Sequence, residues 1–398
     1  MSILKSKSIH FHIVSLRNAI LPTLFLLFTI SLLLFSKTNL SATKEGLSLW
    51  ANSVLPSLFP FFIATELLGY TSIIPSIGKL FSWLMRPLFH VPGEGAFALV
   101  MGMISGTPVG AKIATDFYEK GITTKEESER LLSFTNNSGP LFIIGTVGIS
   151  LFGDTLLGYL LLFTHLLACL TVGFLFRFWK YKKPSQKNTF THSLVYTQEP
   201  ISLGQMLSSS ITNSTKTIVM IGGFVVLFSV IISVLQQSHL LSFLGNMLSP
   251  IFQVFGIETS FVTPVLTGIL ELTNGVKNVS MVVTKHLSTS VTLCAFLLGF
   301  GGISIGLQVL SIVSKTNLSI VPYFLGKLLQ GIFAAFYTYL MIAWFPIFNL
   351  DLQSVSSNLG KSLANTTTSF SYLAWGMVLF LVLWLIKSFL AKRKCMKI

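Results

Sequence analysis

Pro87-Leu-Phe-His-Val-Pro-Gly-Glu94 stands beside Pro250-Ile-Phe-Gln-Val-Phe-Gly-Ile-Glu258, Thr107-Pro-Val-Gly110-Ala-Lys112 beside Leu272-Thr-Asn-Gly275-Val-Lys277, and Asn136-Asn-Ser-Gly139 beside Gly301-Gly-Ile-Ser304. The three pairs keep their order and spacing, so one unit occurs twice. It reads as a spanning helix, an interfacial amphipathic helix (76–90 and 239–254), a hairpin, and a spanning segment broken by small residues. The hairpins rest on apolar pieces, 95–106 and 259–270, that are shorter than the ~20 residues a crossing helix needs. Such pieces read as re-entrant. Irregular backbone at membrane depth is tolerated only where it is buried in protein or lines a cavity.

Composition agrees. Of 398 residues, 52% are hydrophobic and 10% are charged, where a soluble domain carries about 25% charged residues. The mean hydropathy is +0.76, so the bilayer must solvate many segments. Expected spans are 18–36, 47–70, 131–152, 155–179, 214–236, 287–314, 320–348 and 371–390. The sequence thus predicts an all-α membrane protein of about eight transmembrane helices plus two re-entrant hairpins in an inverted repeat. Its parts are an N-terminal region (1–46), a first repeat (47–179), a polar cytoplasmic linker (180–205), a second repeat (206–348), and an extracytoplasmic loop, last helix and basic tail (349–398).

The formal net charge is +14, and the basic residues cluster around 5–17, 180–187 and 387–397. Each cluster abuts an apolar span, which fits the positive-inside rule better than nucleic-acid binding. With the basic N-terminus inside, the expected crossings put all three clusters on one side and the two repeats in opposite orientations. That is the pattern of secondary transporters, with a site at the repeat interface. No small-residue cleavage site follows the first apolar run before Asn39, so it reads as a retained helix. Cys169, Cys294 and Cys395 have no disulfide or metal spacing, and no catalytic motif or cofactor signature stands out, which points to a non-enzyme.

The candidate substrate-binding residues lie at the tips and breaks. Gly106, Thr107 and Gly110 form the first tip; Glu271, Thr273, Asn274 and Gly275 form the second; Asn136, Asn137, Ser138 and Ser304 mark the breaks. Glycine permits close backbone approach, and the freed backbone groups need polar partners or a ligand. Lys112 and Lys277 hold matching places after the tips, in position to converge on an anion. Among the acids, Glu271 is the strongest candidate because it lies beside a break. Glu66 is read as a snorkelling or a site carboxylate, and Glu94 and Glu258 as interfacial. Asp116, Glu119, Glu126, Glu127 and Glu129 are read as a solvated turn. The expected partners are a small-molecule anion and the lipid bilayer, without nucleic acid; a homo-oligomer is left open.

Gly106-Thr-Pro-Val-Gly-Ala-Lys112 and Thr135-Asn-Asn-Ser-Gly-Pro140 resemble the sporulation integral membrane proteins of the YlbJ type, which carry a nucleoside-recognition Gate domain in each half. The resemblance implies a multi-pass protein of an endospore-forming bacterium, distantly similar to concentrative nucleoside transporters. It also implies transport of dipicolinic acid across the outer forespore membrane for the spore cortex. Nucleoside transport and a non-transporting role in spore-envelope assembly are the alternatives. The first tip reads Gly-Thr-Pro where those transporters carry a Gln-Thr-Glu-like tip, which argues against a nucleoside.

Overall fold

A computed structural model describes residues 22–71, 73–181, 202–284 and 286–345. Among these residues all regular structure is helical. The expected span 371–390, the start of the first span, and most of the linker lie outside the described residues.

Helix α1 (Pro22–Leu34) turns by 99° into α2 (Ser36–Leu49). A π-helical turn, Trp50–Val54, joins α2 to α3 (Leu55–Gly69). The expected spans 18–36 and 47–70 are thus bridged by helix rather than separated. The polar run after Phe35 is helical because its side chains satisfy backbone at the bend. Asn39 Nδ2 donates to Ser31 O at 3.2 Å and Thr38 Oγ1 to Phe35 O at 2.9 Å. Trp50 then locks this arm to the second repeat, its indole N–H donating to Ile218 O at 3.0 Å. Gly222 leaves the space the ring fills, since a Cβ there would lie 2.7 Å from it.

The amphipathic helices appear as α4 (Ile73–Phe89) and, later in the chain, Leu240–Val254. The first hairpin is α5 (Gly95–Ser105) and α6 (Val109–Glu119). Next come α7 (Lys125–Phe134), a non-helical stretch at 135–139, a π-helix at Leu141–Leu151, and α8 (Thr155–Phe176). In the second repeat, α9 (Leu203–Gln237) precedes the Leu240–Val254 helix, α10. The second hairpin is α11 (Val262–Leu270) and α12 (Leu272–Ser280). The broken pair α13 (Leu287–Phe300) and α14 (Gly302–Val313) and the long α15 (Val321–Trp344) complete it.

Caps explain several starts. Thr124 and Glu127 form a reciprocal capping box on α7, and Ser202 and Gln205 form one on α9. The second box starts α9 eleven residues before the expected 214, within the stretch read as linker. Among the described residues four helical segments are long and apolar enough to cross a membrane: α8, α9, α13–α14 and α15. The bent α1–α2 pair makes a fifth if counted as one span. The expected span 371–390 lies outside the described residues, and among the described ones the breaks and the bend divide other apolar runs into pieces of 10–17 residues.

The charged stretch at 116–130 is not wholly solvated. Glu129 is fully buried, and Arg130 nearly so. Glu129 accepts from Trp179 Nε1 at 2.9 Å, Lys180 Nζ at 3.0 Å and the Ser319 N–H at 3.1 Å, while Arg130 Nη1 donates to Trp179 O at 2.9 Å. A single carboxylate therefore ties α7 to the end of α8 and to the α14–α15 loop. Burial by itself would raise its pKa. The Trp179, Lys180 and Ser319 donors win, and hold the carboxyl below its ordinary 4.5.

A depressed carboxyl pKa stabilises the folded state above the unfolded value, and that stabilisation is lost as pH falls through the folded value. Glu129→Gln should lower unfolding stability by about 2 kcal/mol, the scale of hydrogen bonds to a charged group. Melting curves from pH 7 down to below 4.5 should show the wild type losing stability on acidification more steeply than the variant. Parallel curves would mean that Glu129 is not the tie described.

Candidate functional site: hairpin tips seated in helix breaks

Each hairpin closes through glycines and seats against the break of the helix that follows. In the first repeat, the Thr135 carbonyl occupies the slot left by Gly102 and Gly110, where a Cβ on either would overlap it. Gly106 turns the tip with φ +83°, and a Cβ there would stand 3.2 Å from Gly139 N. The second repeat does the same. Gly268 and Gly275 meet backbone to backbone, and a Cβ on Gly302 would lie 3.1 Å from Gly268 O and 3.2 Å from Leu272 N. Small residues at such contacts let helices in a membrane approach closely.

The sequence-derived residues therefore gather in two groups. Gly106, Thr107, Gly110 and Asn136–Ser138 form the first tip and break. Glu271, Thr273, Asn274 and Gly275 form the second tip, against the break that precedes buried Ser304. Glu271 is 4% exposed and acts as the N-cap of α12, accepting from the Thr273 N–H at 2.9 Å and the Asn274 N–H at 2.8 Å. Lys112 reaches Glu66 of α3, so its charge is matched by a carboxylate. Lys277 is exposed on α12.

The first group is bonded to the second repeat. Ser138 Oγ donates to Leu298 O at 3.3 Å. Asn137 Nδ2 donates to Phe134 O at 2.9 Å, closing the end of α7, and its Oδ1 accepts from Gln330 Nε2 at 2.7 Å. Lys327 Nζ donates to Asn136 O at 3.0 Å and to Gln330 Oε1 at 2.8 Å. Gln330 also faces His165 Nε2 at 3.3 Å, and Thr164 of α8 meets Thr338 of α15 at 2.8 Å. Sequence reasoning passed over Lys327, Gln330 and His165. The signal was there: Lys327 is the one charged residue in the expected span 320–348, and Gln330, three positions on, shares its helical face. An ionisable side chain at membrane depth is by default a functional candidate.

A family model described as Gate, nucleoside recognition, matches twice, over residues 51–172 and 218–338. The sporulation integral membrane protein YlbJ of Bacillus subtilis (strain 168) is 37% identical over 350 residues, covering 84% of each chain. The chain belongs to the YlbJ family of sporulation integral membrane proteins. Both Gate matches in this YlbJ-family chain contain a hairpin and the break that receives it. Among solved structures, a doubly substituted CNTnw in an outward-facing state is 14% identical with a TM-score of 0.46, covering 80% of this chain and 85% of that one. CNTnw in an inward-facing, substrate-bound state is 12% identical with a TM-score of 0.45, covering 82% and 86%.

If the seating of tips in breaks holds the site, a single methyl group should destroy it. Gly110→Ala and Gly275→Ala each drive a Cβ into backbone and should cost more than about 3 kcal/mol, the upper end for overpacking. Gly204→Ala, which meets nothing within 4 Å, should be neutral or mildly stabilising, by up to about 1 kcal/mol. Size-exclusion profiles of detergent-extracted protein check this: the first two variants should lose the monodisperse peak and the third should keep it.

Proposed function

We propose that this protein is a membrane transporter of a small organic anion, and that dipicolinic acid, moved across the outer forespore membrane, is its solute. The observation that carries the reading is the pair of hairpin tips seated in helix breaks and joined through Asn136–Ser138 to α13 and α15. Backbone that leaves helical geometry at membrane depth must be satisfied by other groups. At the first break several of the groups that satisfy it come from the other repeat, so a relative movement of the repeats exposes them to a solute. The proposal places the two units in opposite orientations, with the site between them.

In this reading Lys112 and Lys277 draw the anion towards the two tips from opposite repeats, and a solute carboxylate displaces Glu66 from Lys112. Glu271 keeps the second tip in shape by capping α12. The family description, nucleoside recognition, favours a nucleoside as the second candidate solute. A scaffold in the spore envelope would have no use for buried polar groups joining two breaks.

Uptake of labelled dipicolinate and of a labelled nucleoside into proteoliposomes tests the reading. Dipicolinate should accumulate and the nucleoside should not. Lys112→Met and Lys277→Met should each cut the initial dipicolinate rate at least about tenfold, corresponding to roughly 1.4 kcal/mol. Lys120→Met and Lys125→Met, on the charged turn, should transport at the wild-type rate. Nucleoside uptake alone would reassign the solute, and uptake of neither would overturn the transporter reading.

A further inference from the structure

Lys327 is 1% exposed. Its ammonium is held by two neutral acceptors, Asn136 O and Gln330 Oε1. Its stem runs past the other break: a Cβ on Gly301 would lie 3.6 Å from Lys327 Cε. The side chain thus reaches from the break of the second repeat to the break of the first. Ion pairs among the described residues are Lys112–Glu66 and Lys180–Glu129, and neither includes Lys327. The groups around it on α8 and in the 135–139 stretch are amide, imidazole and thiol: Asn137, His165 and Cys169.

A neutral donor such as glutamine would satisfy the Asn136 carbonyl. A cation in that place carries a desolvation cost of several kcal/mol, which neutral acceptors offset only in part. Its presence at the meeting of the two breaks is explained if its charge is used. The stronger complement of an ammonium held only by neutral acceptors is a carboxylate, since charge-assisted hydrogen bonds are the stronger kind.

We propose that Lys327 Nζ is the cation that receives a carboxylate group of the transported solute. The carboxylate takes the position held by Asn136 O when the 135–139 stretch draws away from α15, and the Gln330 amide flanks it. This inference rests on the anion-transport reading and names the residue that confers anion selectivity on the shared site.

The test is saturation binding of labelled dipicolinate to the purified full-length protein in nanodiscs. Wild type, Lys327→Met, Gln330→Glu and Lys120→Met are compared. Gln330→Glu gives Lys327 an internal counter-ion within its present hydrogen-bond reach, so it competes with a solute carboxylate without stranding the charge. Lys327→Met and Gln330→Glu should each weaken binding at least about tenfold, roughly 1.4 kcal/mol, and Lys120→Met should bind as wild type. Should Lys327→Met fail to fold, monodisperse Gln330→Glu decides the matter. Wild-type affinity in Gln330→Glu would make Lys327 a structural donor and overturn the assignment, leaving the transport reading intact. Absence of saturable binding to the wild type would overturn the anion reading and the assignment with it.

Discussion

The Thr135 carbonyl lies in a slot that exists only because residues 102 and 110 have no side chains. Most of the proposed site depends on that contact and on its counterpart at Gly268, Gly275 and Gly302. A hairpin of two short helices cannot span a bilayer, and by itself it presents unsatisfied backbone at its turn. Packed against a broken helix, tip and break shield each other from lipid. Closer packing leaves less room for side chains, which is why glycines stand at both partners.

Cross-repeat bonds follow from the same constraint. Breaking a helix at 135–139 frees donors and acceptors that α7 and the π-helix cannot use. Asn137 recovers part of this within its own repeat by donating to Phe134 O. The remainder is met from the second repeat: Lys327 takes Asn136 O, Gln330 takes the Asn137 amide oxygen, and Ser138 donates to Leu298 O. The first break is therefore completed by the other half of the molecule. Glu129 supports the same junction from the charged end, bonding at once to its own repeat and to the Ser319 N–H.

The hairpins, the breaks and the two interfacial helices were legible because glycine, proline and asparagine interrupt apolar runs at matching places. The 99° turn after α1 and the early start of α9 were not, since both depend on side chain–backbone bonds that hydropathy does not register. The role of Glu129 was hidden for a related reason. Four other acids and several lysines surround it in the sequence, and only the fold sets Trp179 and Ser319 against it. Lys327 was visible as a lone charge in an apolar span. What the sequence could not show was that the helix face it shares with Gln330 meets the first break.

The central claim is that solute binds where the two breaks meet, with a carboxylate on Lys327. A cryo-electron microscopy structure of the full-length protein at saturating dipicolinate tests it most directly. The account predicts density for the dianion between the hairpin tips and the 135–139 and 301–302 breaks, with a carboxylate oxygen about 2.8 Å from Lys327 Nζ, the usual length of a charge-assisted bond. Density at another place, with Lys327 still bonded to Asn136 O and Gln330 Oε1, would contradict it.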